Sequence, residues 1–68
     1  MTRVQTNARR LVRLKQASEY LSLSPWALRR IIQAGEIPIV KVGEGAPWLL
    51  DLHDLDSWVD HHKHTVEW

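Results

Sequence analysis

The segment between Ser24 and Gly35 is bracketed by signals that fix where a helix starts and stops. A serine hydroxyl at position 24 can accept a free backbone N–H at the helix start. Pro25 follows at the first helical position, where its missing N–H costs nothing. Gly35 is the expected stop, because glycine tolerates the left-handed backbone that ends a helix. Pro38 then blocks any continuation. Between these signals the residues separate into two faces. At 100° per residue, Arg29, Gln33 and Arg30 fall within about 60° of Trp26. Leu28, Ile31 and Ile32 cluster on the opposite side. Three aliphatics form a core-facing stripe. Two arginines, a glutamine and a tryptophan form an outward one. Arginine and glutamine are the side chains that pair bidentately with base edges in a DNA major groove.

The flanking sequence supplies the rest of a small domain. A first helix is expected from Leu14 to Tyr20 or Leu21, with Leu14, Ala17, Ser18 and Leu21 on one face. Ser22-Leu23-Ser24 is the turn between the two helices, with Leu23 pointing inward. Ile39-Val40-Lys41-Val42 reads as a short strand and Trp48-Leu49-Leu50 as a second, joined by the turn-rich loop Gly43–Pro47 into a hairpin. Asp51 caps a third helix with Asp54 at its third position, a weaker variant of the capping box. Leu52, Leu55, Trp58 and Val59 form its buried stripe, which makes Trp58, together with Trp48, an expected core residue. The helical signal fades after His62. The order helix, turn, helix, hairpin, helix is mainly α with a small β-hairpin, a winged helix-turn-helix. Residues 1–12 read as a flexible basic arm, 13–60 as the domain and 61–68 as a polar tail.

Sixty-eight residues allow one domain with a small core. The chain has no cysteine, so neither disulfides nor thiolate zinc can staple it. No apolar run approaches the ~20 residues that span a bilayer, and the basic N-terminus lacks the apolar stretch of a secretory signal. The net charge of +1 hides a strong polarity. Residues 1–33 hold seven basic side chains against Glu19 alone, and residues 34–68 hold seven acidic ones against Lys41 and Lys63. One face therefore suits a polyanion, and the other turns away from it.

Other chemistries fit less well. His61 and His64, three apart, and Asp60 and His64, four apart, could share a helix face as metal ligands. They lie where the helix should fray, however, and no second ligand set accompanies them. No serine has an evident base and orienter, and Gly43–Gly45 is not a phosphate loop. The sequence points to no enzyme activity, metal or cofactor.

The combined motifs resemble the small excisionase-family, MerR-like winged-helix domain over roughly residues 12–60. Lys15-Gln16-Ala17-Ser18-Glu19-Tyr20-Leu21 is similar to the family's first helix. Ser22-Leu23-Ser24 matches its turn of a small residue, an aliphatic and a serine. Arg30-Ile31-Ile32-Gln33-Ala34-Gly35-Glu36-Ile37-Pro38 follows the end of its reader helix almost position by position. Trp48, Leu50 and Asp54-Leu55-Asp56-Ser57-Trp58 reproduce the pattern beyond its wing. There are departures. Arg13 stands where the family has a Thr or Ser helix cap. Glu44, Gly45, Ala46, Pro47 and Leu49 replace its wing arginines, and the wing tip is about two residues longer. An acidic, apolar wing is a poor phosphate clamp, which leaves that role to the basic arm.

The resemblance implies a cytoplasmic, nucleoid-associated prokaryotic or phage protein that binds double-stranded DNA. Its role would be to bend DNA in site-specific recombination or to control transcription locally. The expected DNA contacts are Trp26, Arg29, Arg30, Gln33, Ser24, Lys41, Arg9, Arg10, Arg13 and Lys15. Of these, Arg29 is expected at a base, whereas Arg30 matches the family's common arginine and suits a phosphate. Gln33 suits adenine. Trp26 either packs in the groove, on sugars or a thymine methyl, or folds back on the first helix or the wing. Arg3 joins the arm's phosphate attraction. The chain lacks the long C-terminal helix of dimeric MerR-type regulators, so a monomer binding adjacent sites beside further copies is expected. The competing class is a protein-interaction module. In that reading the acidic third helix, Ala46, Pro47, Leu49 and Trp68 dock a recombinase or another copy.

Overall fold

A computed structural model describes residues 9–66. Arg3 and Trp68, and most of the expected arm, lie outside the described residues. The elements are β1 (Leu11–Arg13), α1 (Leu14–Leu21), α2 (Pro25–Gln33), β2 (Leu49–Asp51) and α3 (Leu52–His62). All three helices fall where the sequence places them. The arrangement is a winged helix-turn-helix.

The turn between α1 and α2 is closed by the backbone. Ser22 takes the left-handed conformation, with φ 59° and ψ 38°. This lets the Leu23 N–H reach the Ser18 carbonyl at 2.8 Å and the Ser22 N–H reach that of Glu19 at 3.1 Å. Leu23 itself is half-buried. The same pair of bonds ends α2, where Gly35 has φ 84°. There the Glu36 N–H reaches the Ile31 carbonyl at 3.2 Å, and the Gly35 N–H reaches that of Ile32 at 2.9 Å. Both helices thus satisfy their last carbonyls through a left-handed residue. At Gly35 that conformation is free of Cβ strain, and at Ser22 it is not.

The core takes one or two side chains from nearly every element. Ala17, Leu28, Ile32, Ile37, Leu50 and Leu55 are buried, and Val12, Leu14, Leu21, Ile31, Ile39, Leu52 and the indoles of Trp48 and Trp58 pack around them. Among the described residues Ser18 is the buried polar one, and its hydroxyl donates to the Lys15 carbonyl at 2.7 Å. Trp48 and Trp58, expected in the core, are instead half-buried at its edge. Each keeps one side of its ring at the surface for a polar neighbour.

The sheet differs from the expected hairpin. β2 pairs with β1, antiparallel, with Leu11 opposite Asp51, Val12 opposite Leu50 and Arg13 opposite Leu49. The segment Ile39–Val42 contributes a single bridge. Val40 and Leu49 exchange both backbone bonds, at 2.7 and 2.9 Å. The reason lies at both ends of that segment. Pro38 precedes it, and the Gly43–Ala46 turn, closed at 3.1 Å, leads the chain away beyond it. Val42 is consequently 75% exposed. Leu11 and Val12, read as the end of a flexible arm, belong to the sheet. Val12 supplies an inward apolar contact that one alternating triplet among arginines concealed. His61 and His62, read as tail, are the last turn of α3.

Replacing Ser22 with glycine should remove the left-handed strain while keeping both turn bonds. The expected gain is about 0.5–1 kcal/mol, net of the added freedom of the unfolded chain. Urea titration should show a higher midpoint with an unchanged slope. A lower midpoint would mean that the Ser22 side chain contributes more than its conformation costs.

Candidate nucleic-acid interface

The outward face of α2 is set by what its inward face buries. Leu28 is fully buried and Ile32 nearly so, whereas Trp26, Arg29, Arg30 and Gln33 are exposed. The start of the helix forms as its sequence requires, with the Ser24 hydroxyl oxygen accepting the Ala27 N–H at 3.1 Å. Trp26 does not fold back. It is 67% exposed, and the Arg30 guanidinium lies 4.9 Å from its ring centroid. The Arg29 guanidinium lies on the other flank, 5.3 Å from the ring centroid of Trp48. Each arginine is thus braced by an indole, and neither has a carboxylate within ion-pair distance among the described residues.

Arg29 and Trp48 border an open depression together with Arg13, Lys15, Pro25 and Pro47. A neighbouring depression is lined by Arg9, Arg13 and Lys15, with Gln16 and Glu19. Four of the expected contacts, Arg9, Arg13, Lys15 and Arg29, therefore form one continuous basic surface beside the reader helix. The start of α1 helps to hold it. The Arg13 N–H donates to the Gln16 side chain at 3.1 Å, half of a capping box without a hydroxyl cap. Lys41 is exposed on the segment that leads into the wing, outside these depressions.

Arg10 is placed elsewhere. Its Nε donates to Asp51 Oδ2 at 2.9 Å, and its carbonyl accepts the Leu52 N–H at 2.8 Å. The β1–β2 pairing that the sequence reading missed is what brings it there. Arg10 thereby ties the strand to the start of α3, which the other Asp51 oxygen caps at the His53 N–H, 2.9 Å away. That backbone hydrogen bond, aided by the Arg10 guanidinium, holds the Asp51 carboxyl below its ordinary range.

Several acidic side chains of the C-terminal half are engaged by other residues of the chain at its surface. Besides Asp51, Asp56 accepts the Tyr20 hydroxyl at 2.6 Å, linking α3 to α1. That bond, with burial and the negative charge of Asp56, pushes the Tyr20 phenol up. Asp60 pairs with Lys63 at 3.2 Å. Glu36 accepts the Trp58 indole N–H at 3.0 Å and lies 3.5 Å from His62 Nε2. His61 and His62 each place Nδ1 2.8 Å from the carbonyl four residues earlier. Sequence reasoning offered no signal for these pairs, since their members lie far apart in the chain or belong to a helix end.

A family model described as a helix-turn-helix domain matches residues 11–63. The chain belongs to that family. It is a small DNA-binding helix-turn-helix protein of the excisionase-like kind, and its partner is double-stranded DNA. The match begins at the first residue of β1 and ends one residue after α3. No curated protein and no solved structure matches it. No helix among the described residues is long and apolar enough to cross a membrane.

The Asp51 shift has a sign that can be measured. A carboxyl whose folded pKa is depressed adds stability above its unfolded pKa, about 3.9. That stability is lost as the pH falls through the folded value. Acidification from pH 7 to pH 3 should therefore destabilise the wild type more than Asp51→Asn, which keeps a cap oxygen but has no charge to lose. Denaturant melts at the two pH values compare them. Equal losses in both proteins would remove Asp51 from the account of acid sensitivity.

Proposed function

We propose that the protein is an excisionase-type directionality factor that inserts α2 into a major groove and bends its DNA. The two-faced α2, buried through Leu28 and Ile32 and exposed through Trp26, Arg29, Arg30 and Gln33, carries this reading. The match to the excisionase-like motif pattern from Lys15 to Trp58 supports the recombination role. The role is one of binding and not of catalysis. The depressions beside α2 are open and lined by cations, prolines and an indole, which suit a nucleic-acid backbone.

The contacts divide by direction. The aliphatic stripe of α2 centres about 195° around the wheel from Trp26, so the outward direction lies at about 15°. Trp26, Arg30 and Gln33 lie within about 35° of it, and Arg29 lies about 75° away, towards the wing. Arg29 then joins Arg9, Arg13 and Lys15 on phosphates, with Lys41 as a fifth cation from the wing. Ser24, whose hydroxyl oxygen is engaged as a cap, retains its proton for a phosphate at the helix start. Arg10, held by Asp51, serves the fold first. The internal engagement of Asp51, Asp56, Asp60 and Glu36 leaves less free acidic surface for a protein partner than the sequence suggested. Ala46 and Pro47 remain the part of the wing suited to touching a recombinase or a second copy.

Five phosphate contacts predict that log K falls with log salt at a slope near −4.5, from ~0.9 per contact. Arg29→Ala should lower affinity for cognate and random duplexes alike and reduce the slope by about 0.9. A slope near zero would remove the electrostatic footprint altogether. The bending role is tested by energy transfer between the ends of a bound duplex. Shortened end-to-end distance is expected on binding. Specific binding to straight DNA would overturn the directionality role and leave a local transcription regulator.

A further inference from the structure

We propose that Trp26 and Arg30 act as one reading unit for a thymine and a guanine in adjacent base pairs. The inference rests on the insertion of α2 in a major groove and specifies what that helix reads there. Trp26 and Arg30 lie one helical turn apart on the most outward part of α2, and the guanidinium lies 4.9 Å from the indole centroid. That separation exceeds one base-pair rise, about 3.4 Å, and falls short of two. Along the groove the two groups can therefore lie no more than about one base-pair step apart.

Each has one good match in the major groove. The guanidinium fork pairs bidentately with the O6 and N7 acceptors of guanine. The apolar group that DNA offers there is the C5-methyl of thymine, and an indole that is 67% exposed is the apolar surface available to meet it. Stacking on the indole also restricts the arginine before DNA arrives, so less rotamer freedom is lost on docking. The acidic residue beside this unit does not compete for the cation. Glu36 borders the same depression as Trp26 and Arg30, but its Oε1 accepts the Trp58 indole N–H at 3.0 Å. Arg29 differs in direction and surroundings. It is braced by Trp48 on the flank, among other cations, where a phosphate is the better match.

The test begins with selection on random duplexes by the wild type and by Trp26→Ala. The wild type should enrich sites with a guanine and a thymine in neighbouring pairs, on the same or opposite strands. In the selected duplex, replacing that thymine with deoxyuridine removes only the methyl. Binding should weaken about fourfold, the value of one buried methyl-sized group. Replacing the guanine with 7-deazaguanine removes N7 and should cost about tenfold. Trp26→Ala should lose its response to deoxyuridine while its melting temperature stays near that of the wild type. Arg30→Ala removes the donors and should lose its response to 7-deazaguanine. Indifference of the wild type to deoxyuridine, with selective binding retained, overturns the proposal. So does a Trp26→Ala loss that is equal on all sequences, the result for an indole packed on sugars or on a protein. Failure of the wild type to bind any duplex at low salt would instead overturn DNA binding by α2 itself.

Discussion

Burial of Leu28 and Ile32 is the constraint on which the remaining structure depends. These side chains sit on one side of α2 and meet Ala17 of α1, Leu50 of β2 and Leu55 of α3 in a single cluster. Ala17 has no side chain beyond Cβ, which lets α2 approach α1 closely. Once that face is buried, α2 cannot rotate about its axis. Trp26, Arg30 and Gln33 must then point away from the protein. The direction of the reading face is thus a consequence of hydrophobic burial, the dominant favourable term in so small a domain.

The second organising element is β2, only three residues long. On one side it pairs with β1, and on the other Leu49 exchanges two backbone bonds with Val40. Through this strand β1, the wing and the start of α3 are held together. Arg10 and Asp51 fasten the same junction with an ion pair at 2.9 Å. A single bridged pair is a slender attachment for a wing. The indole of Trp48, packed against the core on one side and beneath Arg29 on the other, supplies further contact. The wing therefore braces Arg29 through Trp48, although Glu44 and Pro47 at its tip offer no cation of their own.

Charge is sorted by use. The cations around α2 have no acidic partners within ion-pair distance among the described residues, apart from Arg10. Most acidic side chains of the C-terminal half are bound to an arginine, a tyrosine, a tryptophan or a lysine of the same chain. The polarity read from the sequence is real, but its acidic end works largely as a set of tertiary ties. Tyr20 to Asp56 and Trp58 to Glu36 join α3 to the helix-turn-helix at two separate points.

Local signals alone determined the three helices and the faces of α2. A serine cap, a proline at the first position, a glycine stop and a 3.6-residue period act within one turn of chain, and each was legible in residues 24–38. The outward position of Arg29, Arg30 and Gln33 followed from the same period. What only the tertiary structure decided was every feature that joins distant residues. Leu11–Arg13 is a strand because Leu49–Asp51 lies beside it, and no local pattern in three residues among arginines could show that. Ile39–Val42 has strand composition, yet it pairs at one residue because the loop beyond it leads away. Trp26 was undecided from sequence, since an indole at the edge of a helix face can turn either way. In the fold it stays exposed, with Arg30 stacked against it. Periodicity fixes which way a side chain leaves its own helix. Which neighbour it finds there depends on how the helices, strand and wing pack.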